Sequence, residues 1–213
     1  GFELTVEDDR GPYFSGDTLS WEVKTGYLSG GSVTSGKWDY YWTREPAYFS
    51  PGGERWESYT FCPRESAASE TLNSDTGSLD TSGTFRAVQK TGGEDIPGMP
   101  YAYSLEASVN DLSNQQIATR KGILVHPTNL YIGAKFGSPD DKDSPYFLTK
   151  GEERDVSILL VSPSGGEIKK EELPEKIEAE LYRVEWKLAQ QQGVSGSIYT
   201  NYERVERKIE SWT

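Results

Sequence analysis

The chain has 213 residues, 34% of them hydrophobic and 12% aromatic, and its formal net charge at pH 7 is −12. This acidic balance, with no run of more than two basic residues, argues against a nucleic-acid partner. No apolar stretch approaches the roughly 20 residues that a membrane-spanning helix needs.

Three short strands are predicted in the first part of the chain. Residues 2–6 alternate between apolar and polar side chains and predict the first strand. Residues 18–25 predict the second and residues 38–42 the third, with a glycine-rich connector at 26–36 between them. Both later strands carry a one-sided row of large side chains, which consists of Leu19, Trp21, Val23, Trp38, Tyr40 and Trp42.

The middle of the chain is less regular. Residues 45–83 contain several prolines and glycines around short apolar pieces, and we expect a long insertion between strands there. Residues 84–88 return to a strand pattern. Residues 101–109 and 115–125 then predict a long β-hairpin that closes a first module.

A domain boundary is predicted at His126-Pro127-Thr128. Pro127 lacks a backbone donor and biases the preceding residue towards extended geometry, so it suits a linker. The sequence therefore predicts one domain over residues 1–127, containing the insertion at 45–83, and a second over residues 128–213.

The second module also has strand patterns. Strands are predicted at 130–134, at 154–161 and over 177–187, where side chains alternate between two faces. The polar run at 190–196 indicates a hairpin tip, and residues 198–209 predict the returning strand, although the end of that segment could also be read as helix.

A repeated phrase relates the two modules. Pro-Tyr-Phe, then a turn of glycine and an acidic residue, then an alternating strand, occurs over 12–23 and again over 145–158. Short strands separated by turn clusters are typical of antiparallel β-sandwiches. The predicted fold class is therefore all-β, with two antiparallel β-sandwich domains in tandem.

Few residues suggest chemistry. The single cysteine, Cys62, excludes an internal disulfide and a thiolate zinc cluster, and the single histidine excludes a histidine-based metal cluster. Cys62 could be a nucleophile only beside a base, and His126 is expected to lie elsewhere, in the linker, with a structural role. We predict no catalytic, cofactor-binding or metal-binding residue, no cofactor and no enzymatic activity.

Two acidic groups, Asp8-Asp9 and residues 140–143, precede the two copies of the repeated phrase. The second could suggest calcium, but it lacks the ligand spacing, central glycine and terminal glutamate of an EF-hand. Both groups are interpreted as solvated turns. A carboxylate pair for glycoside hydrolysis is not excluded by composition, but it cannot be located.

Aromatic residues offer one alternative function. A group of them could form a platform on which sugar rings stack, although a sandwich core is the favoured interpretation. The group consists of Trp38, Tyr40, Tyr41, Trp42, Tyr48 and Trp56. The alternative is therefore a carbohydrate-binding or adhesin-type pair of β-sandwiches on a cell surface.

Several segments, taken in order, resemble the bacterial α-2-macroglobulin family. They are residues 13–18, 23–31, 45–51, 125–127 and 180–187. The resemblance implies a pair of macroglobulin-like domains, of the immunoglobulin or fibronectin-III type, from the N-terminal half of a large protein. Such a protein traps proteases after its bait region is cleaved.

The resemblance implies no functional residue in this segment. The family's thioester is made from Cys-Gly-Glu-Gln, whereas Cys62 is followed by Pro63, Arg64 and Glu65. Residues 190–197 are too short for us to name them as the bait region. The implied partners are neighbouring domains of a larger parent chain and, through that parent, proteases. The implied location is the bacterial periplasm or cell envelope, with lipid anchoring through the parent as one form.

Overall fold

A computed structural model describes most of the chain: residues 1–7, 11–63, 65, 67–93, 95–138, 151–166, 168–192 and 198–213. The chain divides into two compact units, Gly1–Ile168 and Lys169–Thr213. In the described ranges regular structure is β-strand, apart from single 3-10 turns at Glu54–Trp56 and Lys170–Glu172. No helix in those ranges has the length and apolarity to cross a membrane.

Twelve strands are seen in the described residues. In chain order they are β1 (Phe2–Glu7), β2 (Tyr13–Phe14), β3 (Thr18–Tyr27), β4 (Gly36–Pro46), β5 (Glu70–Ser78), β6 (Thr84–Lys90), β7 (Tyr101–Asp111), β8 (Gln116–His126), β9 (Tyr131–Phe136), β10 (Val156–Val161), β11 (Ala179–Gln192) and β12 (Ile198–Trp212).

The first eight strands form two sheets. One has the order β1-β3-β6 and the other β2-β8-β7-β4-β5. Neighbouring strands are antiparallel, except that the short β2 pairs with the end of β8 in parallel, with Tyr13 opposite Val125. The predicted all-β, antiparallel fold class is confirmed.

Large side chains from the two sheets meet in the core. Trp21 of β3 and Trp42 of β4 are fully buried, with their ring centroids 4.9 Å apart. Burying an aromatic ring removes about 150–250 Å² from water, and truncating one to alanine typically costs about 3–5 kcal/mol. The one-sided rows predicted from the sequence therefore point inwards and pack in or against the core.

The region predicted as a long insertion, 45–83, contains a strand that the sequence analysis missed. β5 is an edge strand with mostly exposed polar residues, so it lacks the apolar alternation by which strands are found. Gly77 lies under the ring of Trp38, where a Cβ would come within 2.4 Å of a ring carbon. The glycine thus serves close packing rather than a loop.

A buried cation ties the loop before β7 to the second sheet. The Arg44 side chain is only 6% exposed, donates from Nε to Glu70 at 3.0 Å and from Nη1 to Asp95 at 2.5 Å, and lies over the ring of Tyr101. Burial disfavours its charge, but side-chain hydrogen bonds with Tyr103, Glu70 and Asp95 outweigh that effect and raise the pKa of Arg44. We call Arg44, Glu70 and Asp95 the Arg44 clasp.

The remaining strands form two antiparallel hairpins. β9 and β10 pair within the first unit, from Tyr131 opposite Val161 to Phe136 opposite Val156. β11 and β12 form the second unit, and the helical alternative for the end of the chain is wrong. The predicted tip at 190–196 lies largely outside the described residues. The proposed division at Pro127 falls between β8 and β9 and stays a prediction.

Candidate functional site

The link between β8 and β9 brings together the chain's only histidine, its only cysteine and several aromatic rings. His126 is the last residue of β8 and Tyr131 the first of β9. Both pack against the loop that follows β4. We call the group the junction cluster, and its members, all buried, are Phe49, Phe61, Cys62, His126 and Tyr131.

Tyr131 is the centre of the junction cluster. Its ring stacks on Phe49 with a centroid distance of 3.8 Å and an interplanar angle of 14°. Its hydroxyl lies 2.7 Å from Nδ1 of His126, where either group can donate, depending on the histidine tautomer. The backbone of His126 also accepts a hydrogen bond from the Ser15 N–H at 2.8 Å. One histidine therefore contacts both β2 and β9.

A short loop segment attaches β9 from the other side. Thr60 and Ala134 exchange two backbone hydrogen bonds of 2.9 and 3.0 Å. Next to this bridge Phe61 lies directly against Gly133, where a Cβ would come within 2.5 Å of the Phe61 ring. β9 is therefore held by backbone bonds as well as by side-chain packing.

The ionisable groups of the junction cluster are kept neutral by their surroundings. Burial lowers the pKa of His126. Burial also raises the pKa of Cys62, against the opposing effect of the Phe49 N–H that donates to its sulfur at 3.2 Å. The Tyr131 pKa is raised by burial and, to a smaller extent, by the neighbouring Cys62. Each group is stable in its uncharged form, as expected in an apolar site.

The expectation that Cys62 and His126 lie apart is wrong, because Phe49 contacts both of them. They do not form a nucleophile and base, however. His126 uses Nδ1 for Tyr131, and the raised pKa of Cys62 leaves little thiolate at neutral pH. The proximity was missed because 45–83 was interpreted as an insertion without defined contacts.

An open groove beside the junction cluster has no chemistry of its own. The apolar part of its lining includes Pro63, Pro97, Pro127, Leu130 and Ile132, its polar groups are those of Thr60, Cys62, Thr128 and Tyr131, and none of the described residues that line it is charged. Cys62 and Tyr131 are members of the junction cluster, and the Tyr131 hydroxyl is already bonded to His126, so the groove adds only two threonines to the polar groups of that cluster.

The aromatic platform is not formed. Trp42 is fully buried and Tyr40 is 5% exposed, while Trp38 stacks on Phe85 of the opposite sheet at 4.7 Å. Tyr48 is 67% exposed but belongs to the loop after β4. The core interpretation therefore accounts for Trp38, Tyr40 and Trp42, whereas Tyr41 and Tyr48 are exposed, so the carbohydrate-binding alternative loses the three residues that alternate along β4.

The acidic groups give no metal site that can be described. Asp8-Asp9 and 140–143 lie outside the described residues. Among the residues that are described, no three histidine, cysteine or acidic side chains are grouped as metal ligands would be.

Comparisons with known proteins agree with the resemblance seen in the sequence. The alpha-2-macroglobulin homolog of Nostoc sp. is 28% identical over 173 aligned residues, covering 77% of this chain and 8% of that protein. The chain therefore spans about a twelfth of the length of this curated relative. No protein-family model matches the chain.

Solved structures share its fold. The native conformation of E. coli alpha-2-macroglobulin matches 99% of this chain with a TM-score of 0.70 and 12% identity, over 13% of its own chain. Salmonella alpha-2-macroglobulin reacted with methylamine matches 99% with a TM-score of 0.68 and 14% identity, over 14% of its own chain. The chain is therefore all-β, similar in sequence to an alpha-2-macroglobulin homolog and similar in fold to bacterial alpha-2-macroglobulins.

Proposed function

We propose that this chain is a non-catalytic structural segment of a bacterial α-2-macroglobulin-like inhibitor, which traps proteases of many kinds after its bait region is cleaved. The observation that carries the proposal is the combination of a 28% identical macroglobulin relative with a fold match over 99% of the chain. In the junction cluster Cys62 and His126 are not arranged as a nucleophile and its general base, which supports a structural role.

The direct partners of the chain are, in this proposal, neighbouring domains of a larger parent. The matched stretch is a small part of each relative, 8% of the Nostoc protein and 13% of the E. coli chain. One face of the β11–β12 hairpin carries Tyr182, Val184, Trp186 and Leu188, with Trp186 64% exposed. An apolar row of this kind is typical of a surface that another part of a protein covers.

Location and domain division are part of the same proposal. The family resemblance supports the periplasm or cell envelope. The repeated phrase and the strand-free link after His126 support two macroglobulin-like domains, 1–127 and 128–213. In this role the junction between them sets how neighbouring sandwiches are held when the parent changes shape.

The test is a protease-trapping assay on the full-length parent. The parent is incubated with trypsin or elastase, and the protease is then assayed on a large protein and on a small peptide. Loss of activity on the large substrate, with the peptide still cleaved, is the expected result because a trapped protease is accessible only to small molecules. Equal activity on both substrates would contradict the proposal.

Two controls isolate the contribution of this segment. The 213-residue chain alone should leave both activities unchanged, since it has no protease-binding chemistry of its own. Within the parent, Tyr48→Ala changes an exposed side chain and should leave trapping intact, whereas Trp42→Ala removes a core ring and should reduce it together with the amount of folded protein. Inhibition by the isolated chain would contradict the assigned role.

A further inference from the structure

The junction cluster contains the only histidine of the chain, His126, which is buried at the end of β8, just before the link to β9. Its neighbours are rings: the centroids of Phe14, Phe49 and Tyr131 lie 6.1, 6.0 and 5.7 Å from that of His126. A protonated imidazole at this position would lose the solvation by water that stabilises its charge.

No group in the described part of the chain compensates that charge. From β9 His126 is faced by the neutral Tyr131 hydroxyl and from β2 by Phe14, which is not ionisable. From the loop after β4 it is faced by Phe49, behind which lies the neutral Cys62 thiol. Within the described residues no carboxylate is paired with His126, unlike Arg44, which has two.

Protonation also constrains the hydrogen bond that joins the two strands. Neutral His126 can accept from the Tyr131 hydroxyl or donate to it, whereas the imidazolium can only donate. The Tyr131 O–H must then turn towards another acceptor in a site made of rings. Both the desolvated charge and the restricted bond favour a state in which the imidazole reaches water.

We propose that the junction cluster is an acid-sensitive latch, which holds β9–β10 against the first sandwich at neutral pH and releases it when His126 gains a proton. Release separates Tyr131 from Phe49 and opens the backbone bridge between Thr60 and Ala134, while the core around Trp21 and Trp42 stays folded. This inference concerns the chain itself and does not depend on the proposed inhibitor role.

The size and direction follow from proton linkage. Burial lowers the pKa of His126 in the closed state. The closed state therefore has its full stability at pH values above the ordinary histidine pKa of about 6.5, and it loses stability as the pH falls below that value. If the closed state binds no proton, the equilibrium constant for release rises about tenfold between pH 7.5 and 5.5. Residues far from the junction should not follow this profile.

The test uses the full 213-residue chain in two measurements. Because the chain has a single histidine, its two ring C–H signals, Hε1 and Hδ2, are assigned without ambiguity by NMR, and its titration midpoint can be compared directly with that in urea. Hydrogen–deuterium exchange, corrected for the intrinsic effect of pH, is followed at 131–136 and 156–161, with β7 as the internal reference. We expect a midpoint below the urea value and a roughly tenfold loss of protection in β9–β10 alone.

The matched variant is His126→Gln, which keeps a polar group that does not titrate in this range. In this variant the protection of β9–β10 from hydrogen exchange should be the same at pH 7.5 and at pH 5.5. Persistent acid release in His126→Gln, equal loss in β7, or a wild-type midpoint at or above the urea value would each overturn the proposal. If His126→Gln fails to fold, two wild-type measurements decide: the titration midpoint of His126, and the difference in exchange between β9–β10 and β7.

Discussion

Replacing Arg44 by methionine should destabilise the first sandwich more than any other single charge removal in the Arg44 clasp. Methionine retains most of the apolar stem, so the change removes mainly the guanidinium. Asp95, whose side chain is 22% exposed, then loses its cation and keeps the hydrogen bond from the Ser15 hydroxyl at 3.1 Å. Glu70, at 52% exposure, turns to water.

The magnitudes differ for the three members because their exposure differs. Arg44→Met removes charge-assisted hydrogen bonds to Glu70 and Asp95 and the contact with the Tyr101 ring, and it leaves the partly buried Asp95 without its cation, so we expect a loss of about 3 kcal/mol. Asp95→Asn should cost about 1–2 kcal/mol. Glu70→Gln should cost less than about 1 kcal/mol, since its carboxylate is half in solvent.

The measurement is the midpoint of urea and thermal unfolding for each variant. For a chain of this size about 3 kcal/mol corresponds to a fall in Tm of roughly 6–12 °C. The double variant Arg44→Met with Asp95→Asn should lose less than the sum of the two single variants, because the first change already breaks their interaction. Equal losses for Arg44→Met and Glu70→Gln, or strict additivity in the double variant, would refute this account of the clasp.

Three further results follow from the structure. Gly133→Ala should destabilise the chain by about 1–3 kcal/mol, because the new Cβ would lie 2.5 Å from the Phe61 ring. The control Gly26→Ala should change stability little, because its Cβ would lie 3.9 Å from the nearest atom. Equal unfolding midpoints for the two variants would contradict this. Cys62 should react with iodoacetamide at least tenfold more slowly in the native chain than in urea, because it is buried and its raised pKa favours the thiol; equal rates would show that the loop is open. Titration with glycans should leave tryptophan emission unchanged, since Trp42 is fully buried and Trp38 stacks on Phe85, so these two tryptophans of the predicted platform present no free ring face. Saturable quenching would restore the carbohydrate-binding alternative.

Much of the first sandwich could be predicted from sequence because its strands carry the pattern that burial requires. Leu19, Trp21 and Val23 alternate with polar residues, and all three are fully buried in β3. The hairpin of β7 and β8 could be predicted equally well from its strand pattern. β5 could not be found in this way, because an edge strand with polar side chains derives its order from backbone pairing with β4 rather than from an apolar face.

The junction cluster could not be predicted for a different reason. Its members come from the loop after β4, from the end of β8 and from the start of β9, and no local pattern relates them. Only Pro127 indicated that the chain changes direction there. The stacking of Phe49 on Tyr131 and the hydrogen bond between Tyr131 and His126 depend on the tertiary fold.

Arg44 and His126, two of the buried basic side chains in the described residues, lie in opposite electrostatic settings. Arg44 remains a cation, is paired with two carboxylates and lies within the first sandwich. His126 is faced by rings and a neutral hydroxyl at the exit from that sandwich. A fall in pH from 7.5 to 5.5 changes the charge only of the histidine, because a guanidinium stays protonated throughout. The link should therefore loosen before the sandwich does.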